Sequence, residues 1–170
     1  LRLFPQLLRS SEIQLFKDSD RSVEGRWWDL DLDPGLVADL GAAAGITFDP
    51  PSDAQKEKLG AVLGPLVTLA NPLDYHTFIW GDLEKTTGVF AAMLDGYGAG
   101  IYLIDPPRPD RCDPSSFEAA LQAIEAAQAL TGKPAFPVSS MPENFDEPRA
   151  EAMIARGVVP LMGIETALEA

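Results

Sequence analysis

The residues best able to do chemistry crowd into three stretches of the 170-residue chain: 71–82, 105–113 and 139–144. The first, Asn71-Pro72-Leu73-Asp74-Tyr75-His76-Thr77-Phe78-Ile79-Trp80-Gly81-Asp82, has the widest repertoire. Asn71 and Asp74 can hydrogen-bond nearby backbone around a proline that turns the chain abruptly, while Tyr75, His76 and Trp80 set aromatic bulk beside polar tips. Such a stretch either receives a ligand or simply packs, and both readings stand. The second stretch opens with Asp105 at the end of an apolar run and carries Arg108 and Arg111. These arginines read as contacts for an anion or as solvated surface charges. The third stretch contributes Ser139 and Ser140.

Count and spacing remove several chemistries. His76 and Cys112 are the only residues of their kinds, so neither has a short-spacing partner for zinc, and a single cysteine forms no intrachain disulfide. A Ser139, His76 and Asp105 arrangement can be drawn because all three belong to one edge of the expected sheet, but no Gly-x-Ser-x-Gly elbow accompanies it. Asp105 could also be a phospho-acceptor at a strand end. That chemistry needs an acidic pair and a later lysine, and no lysine follows Lys133; the alternative is a carboxylate that caps its own loop. Gly96-Tyr97-Gly98-Ala99-Gly100 precedes a strand instead of following one, so it reads as a helix-to-strand turn and not a phosphate cradle. Lys133 lacks the glycine spacing of a Walker motif and reads as a helix-end charge.

Those stretches are held by alternating apolar runs and capped amphipathic segments. Residues 101–104 read as a buried strand. Asp113 caps a helix expected to begin at Pro114 with Phe117, Leu121 and Ile124 inward, and Gly132 closes it. Residues 134–138 form the next strand, Asp146 opens a helix with Ala150, Met153 and Ile154 on one face, Gly157 ends it, and residues 158–162 supply a last strand. Earlier, Ser52 and Gln55 make a capping box for a helix presenting Leu59, Val62 and Leu63, stopped by Gly64-Pro65. Residues 66–69 read as a strand, and Asp82 caps a helix buried through Val89, Phe90, Met93 and Leu94. The pattern predicts a mainly parallel α/β sandwich of three layers, with ligand loops at the carboxyl ends of the strands. Residues 1–34 break the rhythm. There, 4–16 read as a helix with Leu7, Leu8 and Leu15 inward, 17–25 as a loop, and only Trp28, Leu30 and Leu32 alternate as a strand would before a helix at 36–40.

Composition sets the class. With 46% apolar residues and only 8% aromatic ones, the chain suits one globular domain over 35–170 with a core of useful size. Its net charge of −13 repels nucleic acid and anionic membranes. No apolar run reaches a bilayer span, and residues 1–5 do not read as a signal sequence, so the expectation is a cytoplasmic protein. The start at Leu1 and the helical character of 165–170 read as an excerpt from a longer chain, the alternative being a whole small protein.

Residues 39–46 (Asp-Leu-Gly-Ala-Ala-Ala-Gly-Ile), a capped helix and then Asn71-Pro72-Leu73-Asp74 together resemble one domain of the NDP-forming acyl-CoA synthetases, the family of acetate–CoA ligase (ADP-forming) and a relative of succinyl-CoA synthetase. Residues 101–105, 133–135 and 157–160 look like that family's successive strands. The resemblance implies a flavodoxin-like CoA-ligase domain, and a whole enzyme that joins an acid to CoA at the expense of ATP and Mg. The reaction would pass through an acyl phosphate and a phosphohistidine carried by another domain. CoA-binding and ATP-grasp domains or subunits would be the partners, and no catalytic residue and no metal ligand is expected in this chain. In the family a Gly-rich turn aims a helix N-terminus at the phosphohistidine. Here Asp33-Pro34-Gly35 stands in its place, leaving the amides of Gly35 and Leu36 as donors, with Asn71, Asp74, His76, Arg108 and Arg111 as candidates for the interdomain site. The alternative is a stand-alone flavodoxin-like regulatory or protein-binding module without catalysis.

Overall fold

The computed structural model describes residues 13–17, 34–75 and 77–170. Five strands, β1 (Ile13–Lys17), β2 (Leu73–Asp74), β3 (Ala99–Leu103), β4 (Ala135–Ser139) and β5 (Leu161–Met162), form one sheet in the order β2-β1-β3-β4-β5. Every pairing is parallel. Parallel strands cannot be joined by tight hairpins, so helices recross the sheet between them and cover both faces. Helices α1 (Pro34–Ala43) and α6 (Ile164–Glu169) take one face, where Val37, Ile164 and Ala167 pack on Ile101, Leu103 and Val138. The helices α2 (Asp53–Leu63), α3 (Leu83–Leu94), α4 (Glu118–Thr131) and α5 (Glu147–Ala155) take the other, and the larger core lies there. The 2-1-3-4-5 order in three layers is flavodoxin-like, as expected.

Local chemistry accounts for most element ends. Asp82 and Asp146 cap α3 and α5 by accepting from the Lys85 and Arg149 amides at 3.1 and 2.9 Å. Gly132 ends α4 in the left-handed region at φ 67°, which costs glycine little. All five residues of β3 are buried, the continuous apolar run that a strand covered on both faces requires. Phe90 of α3 lies between Tyr75 and Tyr102, with ring centroids 5.3 and 4.7 Å away. Burying a ring of that size stabilises the fold by about 1.5–3 kcal/mol.

Four expectations need correction. Residues 66–69 form no strand; the ladder beside β1 is taken by Leu73 and Asp74, which pair with Phe16 and Lys17. Residues 13–16 were expected in a helix but belong to β1, whose register with all five residues of β3 outweighs a helical period in a short apolar run. The chain after Asp113 first makes a 3-10 turn, Ser115–Phe117, and α4 begins only at Glu118; Asp113 caps that turn through the Ser115 amide and hydroxyl, both at 2.9 Å. Val62 and Ile154 are exposed, because α2 and α5 bury Leu59, Leu63, Ala150 and Met153 and leave the adjacent residue on the rim. The expected helix over 4–12, the loop over 18–25 and the alternation of Trp28, Leu30 and Leu32 lie outside the described residues.

One side-chain amide joins two helices. Gln55 completes the capping box of α2 by accepting from the Ser52 amide at 3.0 Å, and its Nε2 donates to Met93 and Ala92 carbonyls of α3 at 2.8 and 3.3 Å. These carbonyls belong to the last turn of α3, where no intrahelical donor reaches every oxygen. Gly96 makes room for the amide: a Cβ there would overlap the Gln55 side chain. Gln55→Ala is expected to cost about 0.5–1.5 kcal/mol by removing its hydrogen bonds to the Met93 and Ala92 carbonyls, of which Met93 keeps the Gly96 amide as a donor. Gly96→Ala should destabilise wild type clearly and the Gln55→Ala background much less. Denaturant unfolding of the four proteins checks this, and strictly additive effects would refute the contact.

Candidate functional site at the carboxyl edge of the sheet

The loops that leave the strands at their carboxyl ends are Tyr75 onward, Ile104–Asp113 and Ser140–Phe145, with α1 starting on the same side. The placement of α1 follows from Val37 in its second turn, which packs with Leu103 and Val138 near the carboxyl ends of β3 and β4. Helix α1 begins at Pro34, one residue before Gly35, and no acidic residue occupies its first turn. Proline has no N–H to leave unpaired, so the first orphan donors are the amides of Gly35 and Leu36.

Asp105 organises the centre of this edge. Its Oδ1 accepts from the Ser140 amide at 2.7 Å and from Asn144 Nδ2 at 2.9 Å, tying the loop after β3 to the loop after β4. This is the loop-capping role, reached across two loops instead of within one. Asn144 is buried, and sequence reasoning missed it; the signal was a lone amide in the turn after Ser139-Ser140. Ser139 Oγ is buried without a hydrogen-bond partner. Arg149 was also missed: its side chain is 15% exposed, with Nη2 3.6 Å from Glu118 Oε1.

The candidate residues divide. Asp74 ends β2, opposite Lys17 of β1, and so reaches the carboxyl edge. Asn71 precedes β2 and lies at the other end of the sheet. There its Nδ2 donates to the Asp49 carbonyl at 3.1 Å, and the Tyr97 hydroxyl donates to the same oxygen at 2.7 Å. Asn71 was expected after a strand at 66–69; with the strand at 73–74 instead, it falls before the strand and clamps the amino-edge loop. His76 lies outside the described residues. Arg108 forms a bidentate pair with Asp110 at 2.9 Å through both Nε and Nη2, and Arg111 Nε approaches the same carboxylate at 3.6 Å. Both arginines are exposed, and in this arrangement they meet a carboxylate of their own loop.

The aromatic loop is mostly packed. Tyr75 and Ile79 are buried, and Trp80 meets Phe117 edge-to-face at 5.1 Å. The Thr86 hydroxyl donates to the Ile79 carbonyl at 3.2 Å and holds the loop on α3. Phe78 is the exception at 65% exposed. At the far end, Lys133 Nζ reaches the Leu94 and Asp95 carbonyls, so this cation sits at the negative end of α3 and not of its own helix. Among the described residues no group of three or more His, Cys, Asp or Glu side chains could hold a metal ion, and no helix is long and apolar enough to cross a membrane.

Arg108 governs the charge of its loop. The hydrogen bond from Arg108, reinforced by the nearby charges of Arg108 and Arg111, holds the Asp110 carboxyl below the usual carboxylate range. A depressed carboxylate contributes stability at neutral pH that is lost as pH falls through the lowered value.

Fold and loop placement define a flavodoxin-like α/β domain. No protein-family profile matches the chain, and no curated protein sequence matches it significantly. Solved structures do. PH0766 from Pyrococcus horikoshii OT3 superposes with a TM-score of 0.68 at 16% identity, over 96% of this chain and 35% of its own. A "dinucleotide forming" acetyl-coenzyme A synthetase 1 of Ca. Korarchaeum cryptofilum superposes in its apo form with a TM-score of 0.63 at 15% identity, over 97% of this chain and 33% of that one. The same synthetase in complex with phosphate and ADP gives 0.64 at 15% identity, covering 97% and 32%. At these identities the likeness establishes the fold. The chain spans about a third of the length of those structures.

Two outcomes test the site. Asp105→Ala should cost about 1–3 kcal/mol in denaturant unfolding and speed hydrogen exchange at the Ser140 amide, since both donors lose their acceptor. Arg108→Ala should let the Asp110 carboxyl titrate closer to its ordinary range, read by NMR; an unchanged titration would mean that the bidentate pair is not formed in solution.

Proposed function

We propose that this chain is the flavodoxin-like domain of an NDP-forming acyl-CoA synthetase, joining acid and CoA while ATP is converted to ADP and phosphate. The observation that carries this reading is the superposition of 97% of the chain on about a third of an acetyl-coenzyme A synthetase. CoA-binding and ATP-grasp domains or subunits supply the remaining parts, and CoA, ATP and Mg are ligands of the assembled enzyme. Within this scheme the present chain positions and does not react. The Gly35 and Leu36 amides at the start of α1 offer donors to an anionic group presented by a neighbouring domain, an arrangement worth about 0.3–1 kcal/mol, and up to about 2 when partly buried. Asp105, Ser140 and Asn144 hold the adjoining loops in one conformation. Asp74, Arg108 and Arg111 border the same edge, and the arginines would have to leave Asp110 to serve a ligand.

A second reading, a regulatory or protein-binding module without catalysis, draws on the exposed Phe78 in the loop after β2. The two readings part on the native gene product. Under the first, its intact mass is several times this chain's 18.3 kDa, or it copurifies with such subunits, and it releases ADP in a manner that requires CoA and one of a panel of carboxylic acids. This chain alone forms no detectable acyl-CoA. In the assembled enzyme, Gly35→Asp should lower turnover about tenfold while preserving the fold, because an acid in the first turn favours the helix yet repels an incoming anion. A native product of 18.3 kDa with no copurifying subunit, or acyl-CoA formed by this chain alone, would overturn the proposal.

A further inference from the structure

Two buried polar atoms at the carboxyl edge have no hydrogen-bond partner among the described residues: Ser139 Oγ and Arg149 Nη1. Both lie on the sheet face that α4 and α5 cover. Ser139 follows Val138, whose side chain joins the smaller core on the α1 face, so the pleat turns Ser139 to the opposite face. Its neighbour across the ladder, Met162, packs against the larger core there. Arg149 stands in the first turn of α5, four residues before Met153 of that same core, and reaches toward the first residue of α4, where Nη2 stops 3.6 Å from Glu118 Oε1. That separation is longer than an N–H···O hydrogen bond, and the Glu118 side chain is 50% exposed. Arg108 and Arg156, by contrast, hold carboxylates at 2.9 and 2.7 Å. A buried donor left unpaired costs more than a hydrogen bond yields, and a charged donor costs more again.

We propose that Arg149 and Ser139 form a subsite for free inorganic phosphate, entered between the first turns of α4 and α5. A guanidinium presents its N–H donors in a planar fork that matches two oxygens of an oxyanion. A carboxylate spends both of its oxygens on that fork, whereas tetrahedral phosphate keeps others to accept from the Ser139 hydroxyl. The Arg149 side chain is 15% exposed, so it is covered but not sealed, and Glu118 releases Nη2 by turning to water. Donors set behind two helix turns admit a small free ion better than a phosphoryl group tethered to another molecule. The acids of the same turns, Glu118, Asp146 and Glu147, oppose any anion. They hold the expected dissociation constant to about 1 mM, the worth of about two charge-assisted hydrogen bonds. The subsite is separate from the Gly35 and Leu36 amides and does not rest on the ligase reading, because it is read on this chain alone.

The test is titration of the full 170-residue chain with inorganic phosphate at constant ionic strength, followed by amide NMR. Saturable shifts are expected at the Glu118, Ser140 and Arg149 amides, and acetate and phenyl phosphate should bind more weakly. Arg149→Lys keeps the charge but loses the fork, and should weaken phosphate binding at least about tenfold, the worth of one charge-assisted hydrogen bond. Ser139→Ala should weaken it too, while Glu118→Gln, which removes a competing carboxylate, should strengthen it. Arg156→Gln, at the far end of α5, should leave it unchanged. Arg149→Met should abolish binding and leave the thermal midpoint of the phosphate-free chain unchanged or higher, because an apolar side chain replaces an under-bonded buried cation. An arginine kept only for its pairing with Glu118 would instead give a lower midpoint. The proposal is overturned by that lower midpoint, by absence of saturable binding, by binding that either Arg149→Lys or Ser139→Ala leaves intact, or by acetate or phenyl phosphate binding as tightly as phosphate.

Discussion

All five strands run in one direction, and that constraint governs the rest of the molecule. Each connection must return across a face of the sheet, so helices cover both sides and the strands bury on both. The same constraint sorts the loops: those leaving strands gather at one end and those entering strands at the other. Asp105, Ser140, Asn144 and the start of α1 therefore meet at one edge although they are scattered along the chain. Asn71 and Tyr97 meet at the opposite edge for the same reason, both donating to the Asp49 carbonyl.

Stacking helices side by side leaves their ends to be satisfied, and the chain solves this with long polar side chains from neighbours. Gln55 serves the end of α3 from one side and Lys133 from the other. Neither interaction is large alone, since a net hydrogen bond contributes about 0.5–1.5 kcal/mol, but an unsatisfied buried carbonyl costs more than the bond yields. Gly96 shows how closely this is fitted, because the missing side chain is what admits the Gln55 amide. The helix layer is thereby tied together at its amino-edge end, away from the carboxyl-edge loops.

The carboxyl edge is ordered by groups that already have partners. Asp105 is engaged by two donors and Asp110 by two arginines. The first turn of α1 carries no acid. The chain spans about a third of the structures it superposes on.

Much of this was legible in the residues. The Ser52–Gln55 capping box, the Asp82 and Asp146 caps, the Gly132 stop and the inward stripe of α3 are local, because a cap bonds within three residues and a helix period repeats within one turn. Those short-range rules were enough to predict α/β layering. What the residues did not decide by themselves were the two-residue and edge features: whether 66–69 or Leu73–Asp74 would pair with β1, and whether Ile13–Lys17 would wind or extend. A ladder is chosen by the strand across from it, which no local period reports. With Leu73 in that place, Asn71 falls at the amino edge of the sheet; at the carboxyl edge Asp105 pairs with Asn144, 39 residues away. Sequence determined the caps and stops of α2, α3 and α5 and the stop of α4 but not the start of α4, and tertiary structure decided which distant polar groups share an edge, because only the completed sheet brings their loops together.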